Sequence, residues 1–144
     1  MQLVEVNDKE SAAKFLQVAV NIYKQDANWI RPLDKDIIQV FDPEKNKAFR
    51  HGEAIRWILQ SDDGKLIGRV AAFINERYKS KGDEIPVGGM GFFECINDQT
   101  AANLLFDTAK HWLQSKGMEA MDGPINFGER DRWWGLQVEG FQQP

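Results

Sequence analysis

Glu94, in the run GGMGFFECINDQTAAN, sits at the end of a β-prone stretch where a carboxylate is positioned for proton transfer. A partly buried carboxylate can take a proton from a substrate ammonium, directly or through water. The competing use of such a residue is an ion pair with Arg69 or Arg56 on neighbouring strands, and that is the commoner one. Cys95 follows it as a possible acyl-accepting thiol. No histidine stands near it in sequence, however, and a lone cysteine more often packs as a small apolar side chain. Ile96, Asn97, Asp98, Gln99, Thr100 and Ala101 then lead into a helix. Backbone N–H groups at a helix start attract anions, and an aspartate placed there can occupy them itself.

A second chemistry-bearing stretch is NFGERDRWWG. Here Arg130, Asp131 and Arg132 precede the adjacent Trp133 and Trp134. Two indoles beside guanidinium groups can hold a planar or acyl ligand. They can equally complete a core and dock a further half of the protein, as aromatic pairs do at interfaces. Other chemistries are disfavoured. With one cysteine there is no internal disulfide and no CxxC metal site, and His51 and His111 are too few for a histidine-rich centre, so no metal is expected. A net charge of −4 argues against nucleic acid as the main partner. The apolar runs are far shorter than a membrane span, and MQLVEVNDKE lacks the basic-then-apolar pattern of a signal peptide, so no membrane partner and a cytoplasmic location are expected.

The elements that must position these residues follow from periodicity and punctuation. LVEV alternates as a strand, and Asp8 or Ser11 caps a helix over 11–24 carrying Phe15, Leu16, Ala19, Ile22 and Tyr23. DANWIRPL interrupts it at Pro32, and a short helix carrying Leu33, Ile37, Val40 and Phe41 ends at Asp42-Pro43. NKAFRHG reads as a loop. EAIRWILQ and LIGRVAAFIN flank Asp63-Gly64, a hairpin signal. The glycines of GGMGFFECI imply a bulge or a close backbone approach. The next helix, capped by Asn97 or Asp98, places Ala101, Leu105, Thr108 and Trp112 on one stripe with Leu104 and Leu113 alongside, and stops at Gly117. MEAMDGPINF is the last strand. The order is β-α-α-β-β-β-α-β, with the first hairpin antiparallel and the final strand–helix–strand unit a right-handed parallel crossover. This is an α/β (α+β) fold, a mixed and mostly antiparallel sheet with helices on both faces, in one domain over 1–144.

That element order, together with the phrases FDPEKNKAFRHGEAIRWILQ, GRVAAFIN and GFFECINDQTAANLLFDTAKHWLQSKGMEAMDGPINFGERDRWWGL, resembles the GCN5-related N-acetyltransferase (GNAT) superfamily. More narrowly it resembles bacterial GNAT-like proteins. The resemblance implies transfer of an acyl group from acetyl-CoA or another acyl-CoA to a small-molecule or peptide amine, with Glu94 as base. It places the diphosphate of the acyl donor against the amides from Cys95 to Ala101, where the superfamily has a Q/R-x-x-G-x-G/A turn. Here that turn lacks both glycines and the lead residue, and it carries Asp98. Either Thr100, Ala101 and Ala102 are small enough to substitute, or Asp98 caps the helix and repels a diphosphate; the second is the simpler reading. The pantetheine arm would enter between GFFECI and MDGPINF, with Asn126 serving the thioester and Arg130, Trp133 and Trp134 on the substrate side.

No tyrosine follows Tyr78, so the superfamily's thiolate-protonating tyrosine has no counterpart. The tail WWGLQVEGFQQP is too short for the two closing strands, although Val138, Gly140 and Phe141 are similar to the superfamily's LYxxxGF ending. The chain is therefore expected to be the N-terminal part of a longer one. The alternative function is a catalytically inactive scaffold that binds a protein or peptide, pairs as a homodimer, or docks a missing C-terminal half.

Overall fold

The protein is described by a computed structural model that covers residues 1–75 and 86–123. Strand β1 (Gln2–Glu5) leads into helix α1 (Lys9–Tyr23), and a short helix α2 (Asp34–Val40) follows. Asp8 and Ser11 act together at the start of α1. The Ser11 amide donates to the Asp8 carboxylate at 2.7 Å, and the Asp8 amide donates back to the Ser11 hydroxyl at 3.2 Å. This reciprocal cap satisfies two N–H groups that a helix start otherwise leaves bare. The helix begins two residues earlier than the apolar pattern predicts, because the cap rather than the first apolar residue sets the boundary. The predicted loop around Ala48 winds into a 3-10 turn, Lys47–Arg50, capped by the Asn46 side chain.

Strands β2 (Gly52–Gln60) and β3 (Leu66–Asn75) form the expected hairpin, and Gly64 at its turn has φ +84°, a conformation suited to glycine. Strand β4 (Val87–Cys95), helix α3 (Gln99–Ser115) and strand β5 (Ala120–Asp122) complete the described chain. The sheet order is β1-β2-β3-β4-β5. The first four strands are antiparallel neighbours, and β5 lies parallel to β4. The mixed sheet, the order of elements along the chain and the parallel crossover agree with the sequence.

Two layers cover the sheet. Val70, Ala72 and Ile74 of β3 pack with Leu105, Ala109 and Leu113 of α3 on one face, and Ala71 and Phe73 pack with Phe15 and Val18 of α1 and Ile37 of α2 on the other. The buried stripe of α3 is Ala101, Leu105, Ala109 and Leu113. The sequence had placed Thr108 and Trp112 on it. Both lie at its half-buried flank, and the Thr108 hydroxyl is satisfied by the Leu104 carbonyl at 2.7 Å. The helix sits so close to the sheet that a Cβ at Gly88 would come within 2.5 Å of Leu113, which leaves room for alanines beneath it and not for bulk.

The glycine-rich strand carries the expected bulge. Arg69 pairs with Glu94 and Ala71 with Gly91, so two steps along β3 match three along β4, and Phe92 has φ +52°. Such a bulge bends the strand and re-aims the side chains beyond it.

Candidate functional site

Past the bulge, Phe92 and Glu94 face α1, while Phe93 and Cys95 pack toward α3. The last residue of α1 comes down onto this strand end. Tyr23 donates its hydroxyl to Glu94 Oε1 at 2.7 Å, across 71 residues of sequence. Its ring stacks on Trp29 in the α1–α2 connection, with centroids 5.2 Å apart and planes 20° from parallel. The hydrogen bond to Glu94, then burial, pushes the Tyr23 hydroxyl up to about 12, so near neutrality it is a fixed donor.

Arg69 is Glu94's partner in the strand register, yet its guanidinium turns away into the protein. It is only 5% exposed, donates from Nε to the Phe92 carbonyl and from Nη1 to the Phe15 carbonyl, both at 2.9 Å, and lies 4.8 Å from the Phe15 ring centroid. Burial lowers its pKa, with the Glu94 and Tyr23 fields acting in the opposite direction. Arg56 lies 4.3 Å over the Phe41 ring, and burial brings it down to about 10. Neither arginine forms an ion pair with Glu94 among the described residues. The carboxylate that the sequence paired with an arginine is instead held by a phenol.

Tyr23 is the residue that sequence reasoning missed. It stood in the α1 pattern as one more apolar position, and its hydroxyl gave no hint of a partner so distant in the chain. Its place at the helix end, just before a tryptophan-bearing break, was the available signal.

The turn after β4 is largely committed to its own structure. The Ile96 amide donates to the Ile67 carbonyl at 3.0 Å and the Asp98 amide to the Ile96 carbonyl at 2.7 Å. Asp98 Oδ1 accepts from the amides of Thr100 at 2.9 Å and Ala101 at 3.1 Å. The amides of Asn97 and Gln99 have no acceptor among the described residues, and the Gln99 side chain bonds to Asn103. Cys95 is half-buried, and burial pushes its thiol up, away from thiolate character. No group of metal-binding side chains gathers among the described residues. On the other flank, Val87–Gly89 pair with Ala120–Asp122, and a Cβ at Gly123 would lie 2.6 Å from the Met90 carbonyl oxygen, so the two strands still touch there. Asn126, Arg130, Trp133 and Trp134 lie outside the described residues.

The overall fold is shared with solved acetyltransferases. The aminoglycoside antibiotic 6'-N-acetyltransferase AAC(6')-IG from Acinetobacter haemolyticus superposes with a TM-score of 0.60 at 17% identity, over 87% of this chain and 81% of that one. This chain has the GNAT fold. Another GNAT structure, the aminoglycoside N-acetyltransferase AAC(6')-Iy in complex with CoA, matches with a TM-score of 0.57 at 17% identity, over 83% of this chain and 73% of that one. Among curated proteins, the bacterial ceramide synthase of Caulobacter vibrioides is 26% identical over the whole chain, which spans 37% of that relative. Protein YghO of Escherichia coli is 27% identical over 95% of the chain and 34% of its own length. The GNAT-fold segment thus spans about a third of the curated relatives it matches. No family model matches the chain. Among the described residues, no helix is long and apolar enough to cross a membrane.

Proposed function

We propose that this chain carries part of an acyl-CoA-dependent N-acyltransferase in which Glu94, held by Tyr23, is the general base. The observation that carries this is the 2.7 Å bond between Tyr23 and Glu94 at the bulged end of β4. It fixes a carboxylate at the place where a strand and a helix start converge. The acetyltransferase fold and a CoA complex among its neighbours support acyl-CoA as the donor. The similarity to a ceramide synthase supports an amine acceptor, since a ceramide is by definition the amide of a long-chain amino alcohol.

In the reaction, Glu94 takes one proton from the acceptor ammonium. The freed amine lone pair forms the new C–N bond at the thioester carbonyl. The C–S bond breaks, and its electron pair leaves on sulfur. The amine's second proton and the one on Glu94 pass to the departing thiolate and to water, so the products are an amide, a free CoA thiol and one released proton. Tyr23 does not touch the reacting atoms in this scheme. It orients Glu94 and leaves one carboxylate oxygen for the amine. The donor's diphosphate is assigned to the turn from Cys95 to Ala101, where the Asn97 and Gln99 amides have no acceptor among the described residues. Asn126 is assigned to the thioester and Arg130, Trp133 and Trp134 to the acceptor, as the resemblance implies, and the enzyme is assigned to the cytosol.

The test is calorimetric titration of the full-length protein with CoA and acyl-CoA, followed by thiol release in the presence of amines. Glu94→Gln is expected to lower kcat by about 10²- to 10⁴-fold while CoA affinity holds. Absence of any CoA binding up to millimolar concentration refutes the reading.

A further inference from the structure

On the α1 face of the sheet a groove of about 550 Å³ opens between α1, the β2–β3 hairpin and the end of β4. That volume lies within the range of small-molecule sites, roughly 300–1,000 Å³. Its charge is one-sided. Lys14, Lys24 and Lys65 line it, and no aspartate or glutamate does, although acidic residues outnumber basic ones in the chain, 22 to 18. Glu10 and Asp63 approach from outside the groove, 3.5 Å from Lys14 and 3.8 Å from Lys65, as exposed, loosely set pairs that contribute little holding energy. Lys24 has no carboxylate partner among the described residues. The amides of Asn21 and Gln60 add neutral hydrogen-bonding groups, and Ile22, Leu66 and Ile96 give it apolar wall.

The groove and the proposed base are neighbours along the chain, and neither Tyr23 nor Glu94 lines the groove. Ile22 and Lys24 flank Tyr23 in sequence, and Ile96 lies two residues beyond Glu94 on the strand end that Tyr23 meets. No residue of α3 or of the turn from Asn97 to Ala101 lines it. We infer that this groove binds the phosphate group of a small phosphorylated molecule, with that molecule's carbon chain on the apolar wall. The inference stands on the groove's own lining and does not rest on the N-acyltransferase reading. Lysines are compact point charges that converge on a multiply charged anion, whereas a lone carboxylate is better matched by the arginine fork that this groove lacks. The N-acyltransferase reading assigns the donor's diphosphate to the amides of Asn97 and Gln99, and neither residue lines this groove.

The experiment compares O-phosphoethanolamine, ethanolamine and CoA by calorimetry on the full-length protein, with inorganic phosphate as competitor. Phosphoethanolamine is expected to bind at least about tenfold tighter than ethanolamine, the scale of one charge-assisted contact. Inorganic phosphate should displace it. The doubly charge-reversed Lys24→Glu, Lys65→Glu protein should lose that preference while binding CoA unchanged; both side chains are exposed, so the fold tolerates them. Equal affinity for the two amines, or no binding of either, overturns the proposal. So does a charge reversal that weakens CoA in place of phosphoethanolamine, since the groove would then serve the donor. Loss of the acyltransferase reading has a different signature: CoA neither binds nor reacts, while phosphoethanolamine still binds and inorganic phosphate still competes.

Discussion

On the face covered by α3, Val70, Ala72 and Ile74 meet Leu105, Ala109 and Leu113, and among the described residues no charged side chain is buried with them. On the face covered by α1 and α2, the same strand supplies Arg69, 5% exposed, amid Phe15, Phe41, Phe73 and Phe92, with Glu94 and Tyr23 beside it. Burying a guanidinium costs desolvation that carbonyl contacts and aromatic faces only partly offset. An aliphatic side chain there would pack without that cost. The difference teaches where the two halves of the design reside: the α3 face holds the sheet together, and the α1 face spends part of that stability on placing charge near the strand end.

The comparison breaks most visibly at Leu105. It is fully buried on the α3 face, in contact range of the sheet at Gly68. Leu105→Ala leaves a cavity there and is expected to cost about 2–5 kcal/mol, read as a shift of the chemical-denaturation midpoint. Because Leu105 lies more than a turn into α3 from the amides of Asn97 and Gln99, CoA affinity of the remaining folded fraction should hold. A loss below about 1 kcal/mol would mean that α3 can collapse onto the sheet, and that the α3 face is not the main source of stability.

The counterpart on the other face is Tyr23→Phe. It deletes one hydroxyl and leaves the stack on Trp29, so the stability change near neutrality should be about 0.5–1.5 kcal/mol, well below that of Leu105→Ala, while acyl transfer falls with Glu94 left unoriented. The pH dependence separates the two roles. The folded-state pKa of Tyr23 is raised to about 12, above the ordinary value near 10. Its contribution is therefore complete below pH 10 and is lost as pH rises from there through about 12, because the unfolded chain releases the proton first. Wild type should lose stability across that window more steeply than Tyr23→Phe. Parallel curves would show that the hydroxyl is not held by Glu94 in solution.

How far the sequence reaches follows the same division. The α3 face was legible because it is made of local regularities: the β2–β3 hairpin signalled by Asp63-Gly64, the i, i+4 stripe through Ala101 and Leu105, and the stop at Gly117, where φ is +85°. Its one error, Thr108 and Trp112 in place of Ala109 and Leu113, came from a rotation about the helix axis that only the distance to the sheet decides. The α1 face was legible in its elements and not in its contacts. Glu94 could be singled out from its strand, and Asp8 and Asp98 from their cap positions. The partner of Glu94 could not, because a hydrogen bond across 71 residues depends on the length of α1 and on a bulge that re-aims β4. Arg69 stands opposite Glu94 in the register, and two backbone carbonyls draw its guanidinium away.

The smallest effect expected on stability concerns the turn that joins the two faces. Asp98 caps α3 with its side chain on the Thr100 and Ala101 amides, so a carboxylate stands among the groups assigned to an incoming diphosphate. Replacing a cap by glycine costs only a few tenths of a kcal/mol, whereas alanine costs about 1, because glycine leaves the turn open to solvent and to a ligand. Asp98→Gly therefore should barely move the denaturation midpoint, yet frees two amides and removes one repelling charge. If the diphosphate sits at this turn, CoA affinity rises in Asp98→Gly and rises less in Asp98→Asn, whose amide oxygen can keep the cap. If affinity is unchanged in both, the diphosphate is bound elsewhere, and the N-terminus of α3 belongs with the structural face of the molecule alone.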